Sequence, residues 1–150
     1  GLLPNGLPPG TRLRRPFRAP HHTVSTVGLV GGGTPPRPGE LTLAHGGVLF
    51  LDELPEFRRD AIEAVCVALR DGEVCVRRKG EDCRFPARPR LVIAAANPCP
   101  CGYHGFEQLR SCACTPAGVQ RYQARLGALE DAVQLTRVVV QPVLGKEFSQ

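Results

Sequence analysis

An α/β fold, built on a parallel sheet with flanking helices and an inserted β-hairpin, is what this 150-residue sequence predicts. Three observations carry the prediction. The runs VLFL (residues 48–51) and RLVIAAANP (residues 90–98) are short and apolar, as buried parallel strands are. Between them Ile62, Val65, Cys66 and Leu69 recur at helical spacing. Both runs end on polar residues, Asp52 and Glu53 in one and Asn97 in the other. In open α/β sheets ligands bind beyond the carboxyl ends of the strands, so these ends are the place to look for function.

Taken in order, residues 1–20 are rich in Pro and Arg and read as loop. TVSTVGLVGGG (residues 23–33) is apolar and then glycine-rich, a short helix or strand entering a loop. Prolines make TPPRPGE a loop, and the weak alternation of ELTLAH suggests a short strand. Gly46 and Gly47 form a turn into VLFL, and Pro55 breaks the chain after the acids. RRDAIEAVCVALRDG is the helix, with Gly72 as its stop. EVCVRRKGEDCRF reads as a hairpin: Val74 and Val76 alternate, KGE turns, and Phe85 closes the return strand. Pro86 and Pro89 bracket a loop before the second buried strand. CPCGYHGFEQLRSCAC is a compact loop, and TPAGVQRYQARL opens a helix with Thr115 as N-cap and Pro116 at the first helical position. VVVQPV suggests one further strand. No repeat or linker divides the chain.

A hydrophobic fraction of 42% and a charged fraction of 22% are ordinary for a soluble globular domain. Low aromatic content, with no Trp, argues against a base-stacking platform. No apolar run approaches the roughly 20 residues of a membrane span, and residues 1–20 lack a signal-peptide core, so a cytoplasmic protein is expected. Without a Met, the chain is expected to be a piece of a longer protein or a processed one. The net charge of +5 permits a nucleic acid or nucleotide partner. It is carried almost wholly by Arg, a bias that gene base composition produces equally well. Seven cysteines, four of them in residues 99–114, suggest free thiols or a metal before disulfides in a reducing compartment.

A site that hydrolyses a phosphate anhydride needs a carboxylate near Mg²⁺, a base that orients water, and a polar group at the γ-phosphate or the attacking water. Asp52 suits the first role, through a metal-bound water; Glu53 suits the second and Asn97 the third. An apolar strand ending in Asp-Glu is a Walker-B-type pattern; the plainer reading is a strand capped by two solvated acids. Cys99, Cys101, Cys112 and Cys114 form C-x-C…C-x-C, which can hold structural Zn²⁺, with His104 as a substitute ligand. Zinc sites more often use C-x₂-C, so free thiols are the competing reading. His21 and His22, beside Arg14, Arg15 and Arg18, would contact DNA phosphates or a neighbouring subunit's nucleotide, or form a solvated basic loop. Cys66, Cys75 and Cys83 read as small core or hairpin residues.

RPFRAPHHTVSTVGLVGGGTPPRPGELTLAHGGVLFLDELPEF, FPARPRLVIAAANPCPCGYHG and CTPAGVQRYQARL together resemble the magnesium-chelatase-like AAA+ ATPases of the ComM/YifB group. AHGGVLFLDE is also similar to bacterial enhancer-binding AAA+ activators. The resemblance covers about residues 1–126, a core segment from Walker B through sensor 1 and the following helix; residues 127–150 form a divergent tail. It implies a partial AAA+ P-loop-type core within a hexameric ring that hydrolyses ATP with Mg²⁺. Asp52 and Glu53 would be Walker B and Asn97 sensor 1. Family members of the ComM type act on DNA as branch-migration helicases during recombination of incoming DNA. By the same resemblance Arg77, Arg78 and Lys79 at the hairpin tip would grip the DNA backbone; the competing reading is a charged, exposed turn.

The sequence departs from the family at three places. A G-x-x-x-x-G-K-[ST] loop is not in it, and in the family that loop lies upstream. The family's arginine finger falls on Val133, or on Ala132 with a one-residue shift; Arg137 is the nearest Arg, in another context. Such a finger contributes roughly 10³-fold or more to phosphoryl transfer. Cys66, Val67 and Ala68 stand where polar and Pro positions are usual. A non-catalytic remnant acting as a binding module is therefore the alternative to an ATPase.

Overall fold

The computed structural model describes residues 14–78, 81–132 and 136–141. Along the chain run strand β1 (Phe17–Arg18), helix α1 (Thr26–Val30), strands β2 (Gly31–Gly32) and β3 (Arg37–Pro38), and helix α2 (Glu40–Leu43). Strand β4 (Val48–Leu51), a 3₁₀ turn (Leu54–Glu56) and helix α3 (Arg59–Asp71) follow. Strands β5 (Glu73–Arg78) and β6 (Glu81–Pro86), strand β7 (Leu91–Ala94) and helix α4 (Pro116–Ala132) complete the order. The architecture is α/β, a parallel sheet with flanking helices, as in a partial P-loop AAA+ core.

The central sheet has the order β1-β4-β7, all parallel. β4 and β7 pair in register from Val48↔Leu91 to Leu51↔Ala94, so they end level with one another. Beyond them, Ala95 N–H donates to Leu51 C=O (2.9 Å) and Leu54 N–H donates to Ala95 C=O (2.9 Å). Whatever follows each strand therefore leaves at one edge. The entry to β4 is equally constrained: Val48 N–H donates to Pro16 C=O (2.8 Å), and a Cβ at position 47 would lie 1.9 Å from that oxygen. Only glycine lets β1 approach so closely.

β4 alternates, with Leu49 and Leu51 wholly buried against the helices. α3 turns Ala61, Ile62, Val65, Cys66 and Ala68 inward, and Leu29 of α1 and Leu41 of α2 close the core. Each such aliphatic side chain contributes about 1.5–3 kcal/mol on full burial. α3 ends as its sequence predicts: Gly72 is left-handed (φ 73°) and its N–H donates to Ala68 C=O (2.8 Å). The expected hairpin is β5–β6, with Arg77 opposite Asp82; Lys79, at its tip, lies outside the described residues. Val74 and Cys66 are buried, while Cys75 and Cys83 sit on the hairpin.

Five expectations fail. Phe17–Arg18, within the stretch read as loop, is β1 and pairs with β4, and Arg37–Pro38, within TPPRPGE, is β3 and pairs with Gly31–Gly32; both pairings are set by distant partners that a Pro-rich local sequence does not show. ELTLAH holds a helical turn, not a strand: Leu41 and Ala44 are both wholly buried three residues apart, and Ala44 N–H donates to Glu40 C=O (2.9 Å). β7 is not a buried strand. Its register puts Leu91 and Ile93 on the face shared with Val48 and Phe50, which no helix covers among the described residues, and they are 52% and 40% exposed. Of VVVQPV, residues 138–141 form no strand, with Val138, Val139 and Val140 exposed, and residues 142 and 143 lie outside the described residues. No helix among the described residues is long and apolar enough to cross a membrane.

Candidate functional site at the carboxyl edge of the sheet

Asp52 and Glu53 leave β4 at this edge with both side chains exposed. Glu53 is the one non-glycine residue with positive φ among the described residues (φ 53°, ψ 47°). A left-handed conformation costs a residue with a side chain about 1–3 kcal/mol, and such outliers gather at functional sites. It is held by its neighbours: Glu53 N–H donates to Asp52 Oδ1 (3.0 Å), Glu56 N–H to Glu53 C=O (2.8 Å), and Leu54 N–H to β7's extension at Ala95. The kink turns Glu53 toward the segment after β1. There His22 Nδ1 lies 3.1 Å from Glu53 Oε2, a hydrogen bond when that nitrogen carries the proton, and the imidazole stands edge-on to buried Phe57. Among the described residues no cationic side chain pairs with Asp52.

Asn97 follows β7 three residues past its end, also exposed. Its backbone N–H donates to the Tyr122 hydroxyl, and Tyr122 is buried in α4. Burial pushes the Tyr122 phenol above its ordinary pKa, and the negative charges of Glu56 and Glu53 add to that shift, so the ring lies within electrostatic reach of both acids. Gln123 Nε2 donates to Pro98 C=O (3.2 Å) and Arg125 Nη1 to Pro55 C=O (2.6 Å). One face of α4 thus ties down the chain after both strands. Sequence reasoning missed His22 as the partner of Glu53, and nothing local could have revealed it. It also missed Tyr122, although Val119, Tyr122 and Leu126 recur at helical spacing and carried that signal.

Cys99, Cys101, Cys112 and Cys114 come together, their sulfurs all within 4.8 Å of one another. Sγ–Sγ distances are 3.4 Å for Cys99–Cys101, 3.5 Å for Cys101–Cys112 and 3.8 Å for Cys99–Cys112. Hydrogen bonds from the N–H groups of Tyr103 and Ala113 pull the Cys101 thiol down to about 6. The Cys114 N–H likewise favours a Cys112 thiolate, but burial and the Cys101 and Cys99 side chains outweigh it and push Cys112 up to about 12. Cys114 is raised in the same way against a bond from the Cys101 N–H. Without a cation the cluster favours one negative charge and opposes a second. His104 is exposed, and it is its backbone N–H, not its ring, that meets Cys99 Sγ (3.4 Å).

The structure therefore gathers Asp52, Glu53 and Asn97 at one edge, with the thiols immediately beyond Asn97. Arg77 is elsewhere, in a separate two-stranded sheet, exposed and 3.7 Å from Asp82. Arg78 is the last residue of β5. Of the positions at issue for an arginine finger, Ala132 is the last residue of α4, Val133 is outside the described residues, and Arg137 is exposed.

Residues 7–147 match the family model described as magnesium chelatase, subunit ChlI. The chain is 50% identical over 113 residues to competence protein ComM of Haemophilus influenzae, covering 75% of this chain and 21% of that protein. It is 44% identical over 133 residues to the uncharacterized protein YifB of Escherichia coli, 88% of this chain and 26% of that one. It is 47% identical over 152 aligned residues to the uncharacterized protein Rv2897c of Mycobacterium tuberculosis, 99% of this chain and 29% of that one. The chain thus spans less than a third of the length of these curated relatives. Matched along nearly its whole length, it belongs to the magnesium chelatase ChlI family and is similar to the ComM and YifB proteins within it.

Proposed function

We propose that this chain is the metal-and-water side of an AAA+ ATP site, in a protein that couples Mg²⁺-dependent ATP hydrolysis to DNA remodelling. The observation that carries the reading is the backbone of Glu53. A left-handed glutamate pinned between two strand ends, directly after an exposed aspartate, is a costly arrangement for a mere solvated turn. Asp52 fits a hydrated Mg²⁺, being exposed, anionic and without a cationic partner among the described residues. Bound there, the metal would neutralise phosphate charge. Glu53 would orient and deprotonate the attacking water, with His22 holding its carboxylate until nucleotide enters. Asn97 would meet the γ-phosphate, its position set by the bond from its own N–H to Tyr122.

The whole protein's activity would also need a phosphate-holding loop and an arginine finger; no G-x-x-x-x-G-K-[ST] motif occurs in this sequence, and Arg137 is the Arg nearest the position expected for the finger. Net charge of +5 and the similarity to a protein named for competence support DNA as the partner. Arg77, Arg78 and Lys79 would then contact the DNA backbone in a cytoplasmic, hexameric ring acting as a branch-migration helicase in DNA uptake and recombination. Glu53→Gln in the full-length protein tests the reading. Turnover should fall by roughly 10²-fold or more with ATP binding retained. Unchanged turnover would remove Glu53 as the base and favour a non-catalytic binding module.

A further inference from the structure

The loop of residues 99–114 has almost no core of its own. Within it only Cys99 is buried, and Phe106 and Leu109 are partly or largely exposed. Yet it is folded through successive tight turns, Gly102 N–H to Cys99 C=O (3.0 Å), Phe106 N–H to Tyr103 C=O (3.0 Å) and Leu109 N–H to Phe106 C=O (2.9 Å). A segment that buries so little apolar surface needs a cross-link to hold one conformation. Its four thiols supply one kind readily. Zn–S bonds of about 2.3 Å make a tetrahedron with edges of about 3.8 Å. The three measured separations, 3.4, 3.5 and 3.8 Å, lie close to that edge. They are far from the roughly 2.05 Å of a disulfide.

The surroundings suit thiolates as well. Every sulfur receives a backbone N–H: Cys99 from His104, Cys101 from Tyr103 and Ala113, Cys112 from Cys114, and Cys114 from Cys101. Donors of that kind stabilise the negative charge that four thiolates leave around a divalent cation. No position is left for water or substrate in a four-sulfur shell, so the site would be structural.

We propose that Cys99, Cys101, Cys112 and Cys114 bind one Zn²⁺ ion, and that the ion staples Asn97 and the start of α4 into a single unit. Cys99 lies two residues after Asn97, and Cys114 immediately precedes Thr115, whose hydroxyl accepts the Gly118 N–H (3.2 Å) at the head of α4. That helix returns Tyr122 to the Asn97 N–H and Gln123 to Pro98 C=O. The metal thus closes a ring that begins and ends at Asn97. The two C-x-C turns, each with one intervening residue, are accommodated because the pairs come from opposite ends of the loop.

Metal content of the purified full-length protein tests the site independently of any ATPase activity. About one zinc per chain is expected, lost with a strong chelator under reducing conditions, with Co²⁺ restoring the visible bands of a tetrahedral thiolate complex. The double variant Cys101→Ser with Cys112→Ser should lose the metal, and Cys75→Ser on the hairpin should keep it. Absence of zinc with no cobalt spectrum in the wild type would overturn the site, whether or not the double variant folds. Hydrogen exchange tests the staple: chelation should cut amide protection at Asn97 and residues 118–123 by tenfold or more while sparing α3. Metal loss with protection unchanged there would overturn the staple.

Discussion

The turn after β4 and the loop after β7 leave the same edge of one sheet, two strands side by side, and are built in opposite ways. The β4 turn presents two exposed carboxylates on a backbone held in a costly conformation, and its contacts are borrowed: His22 from beyond β1, Ala95 from beyond β7, Arg125 from α4. The β7 loop brings four like ligands together from residues 99–114 alone. Open carboxylates suit a ligand that arrives and leaves. A closed set of thiols suits an ion that stays. One sheet edge thus carries two differently built loops, and α4 joins them, through Tyr122 and Gln123 on the β7 side and Arg125 on the β4 side.

Separating the two roles gives the largest expected effect. Glu53→Gln should lower turnover roughly 10²-fold or more while leaving zinc content at the wild-type level. Equal loss of both would show that the turn and the loop are one unit and break the comparison. Leu51→Ala strikes beneath both, since Leu51 is wholly buried and its C=O accepts the Ala95 N–H. A loss of about 2–5 kcal/mol in unfolding free energy is expected from denaturant titration. A loss below 1 kcal/mol would show that β4 does not anchor the edge.

A smaller change sharpens the link. Tyr122→Phe removes the hydroxyl that meets Asn97 and should cost about 0.5–1.5 kcal/mol. Its amide signature should move at Asn97 and Pro98-adjacent residues, with zinc retained. The smallest effect comes from a residue that pairs with neither Glu53 nor the cysteines. Asp60 is held down to about 2 by hydrogen bonds from Arg58 and then Thr26, the latter 2.7 Å away and joining α1 to α3. A folded value below the ordinary 3.8 means its contribution is complete above about pH 4 and lost as pH falls toward 2. Asp60→Asn should flatten the acid limb of the stability curve slightly and leave both loops untouched.

Much of this was legible in the residues. VLFL, the α3 period, the β5–β6 hairpin and the start of α4 each carry their own signal in a few neighbouring positions. Asp52, Glu53 and Asn97 could be placed at strand ends for the same reason, and the cysteines could be grouped by spacing. ELTLAH misled because four residues fit either period, and burial of Leu41 beside Ala44 settled it. β7 misled because an apolar run does not say which of its faces is covered.

The sequence by itself determined the local elements, the identity of the acids and thiols, and the family, since each rests on patterns a short stretch contains. Only the tertiary structure decided that His22 meets Glu53, that Tyr122 meets Asn97, and that four sulfurs converge near the edge of a zinc tetrahedron. Those facts depend on contacts between residues up to 31 apart in the case of His22 and Glu53, made close by strand register and the docking of α4. No local propensity encodes them; the energy that fixes them is the burial of Leu49, Leu51 and the inner face of α3.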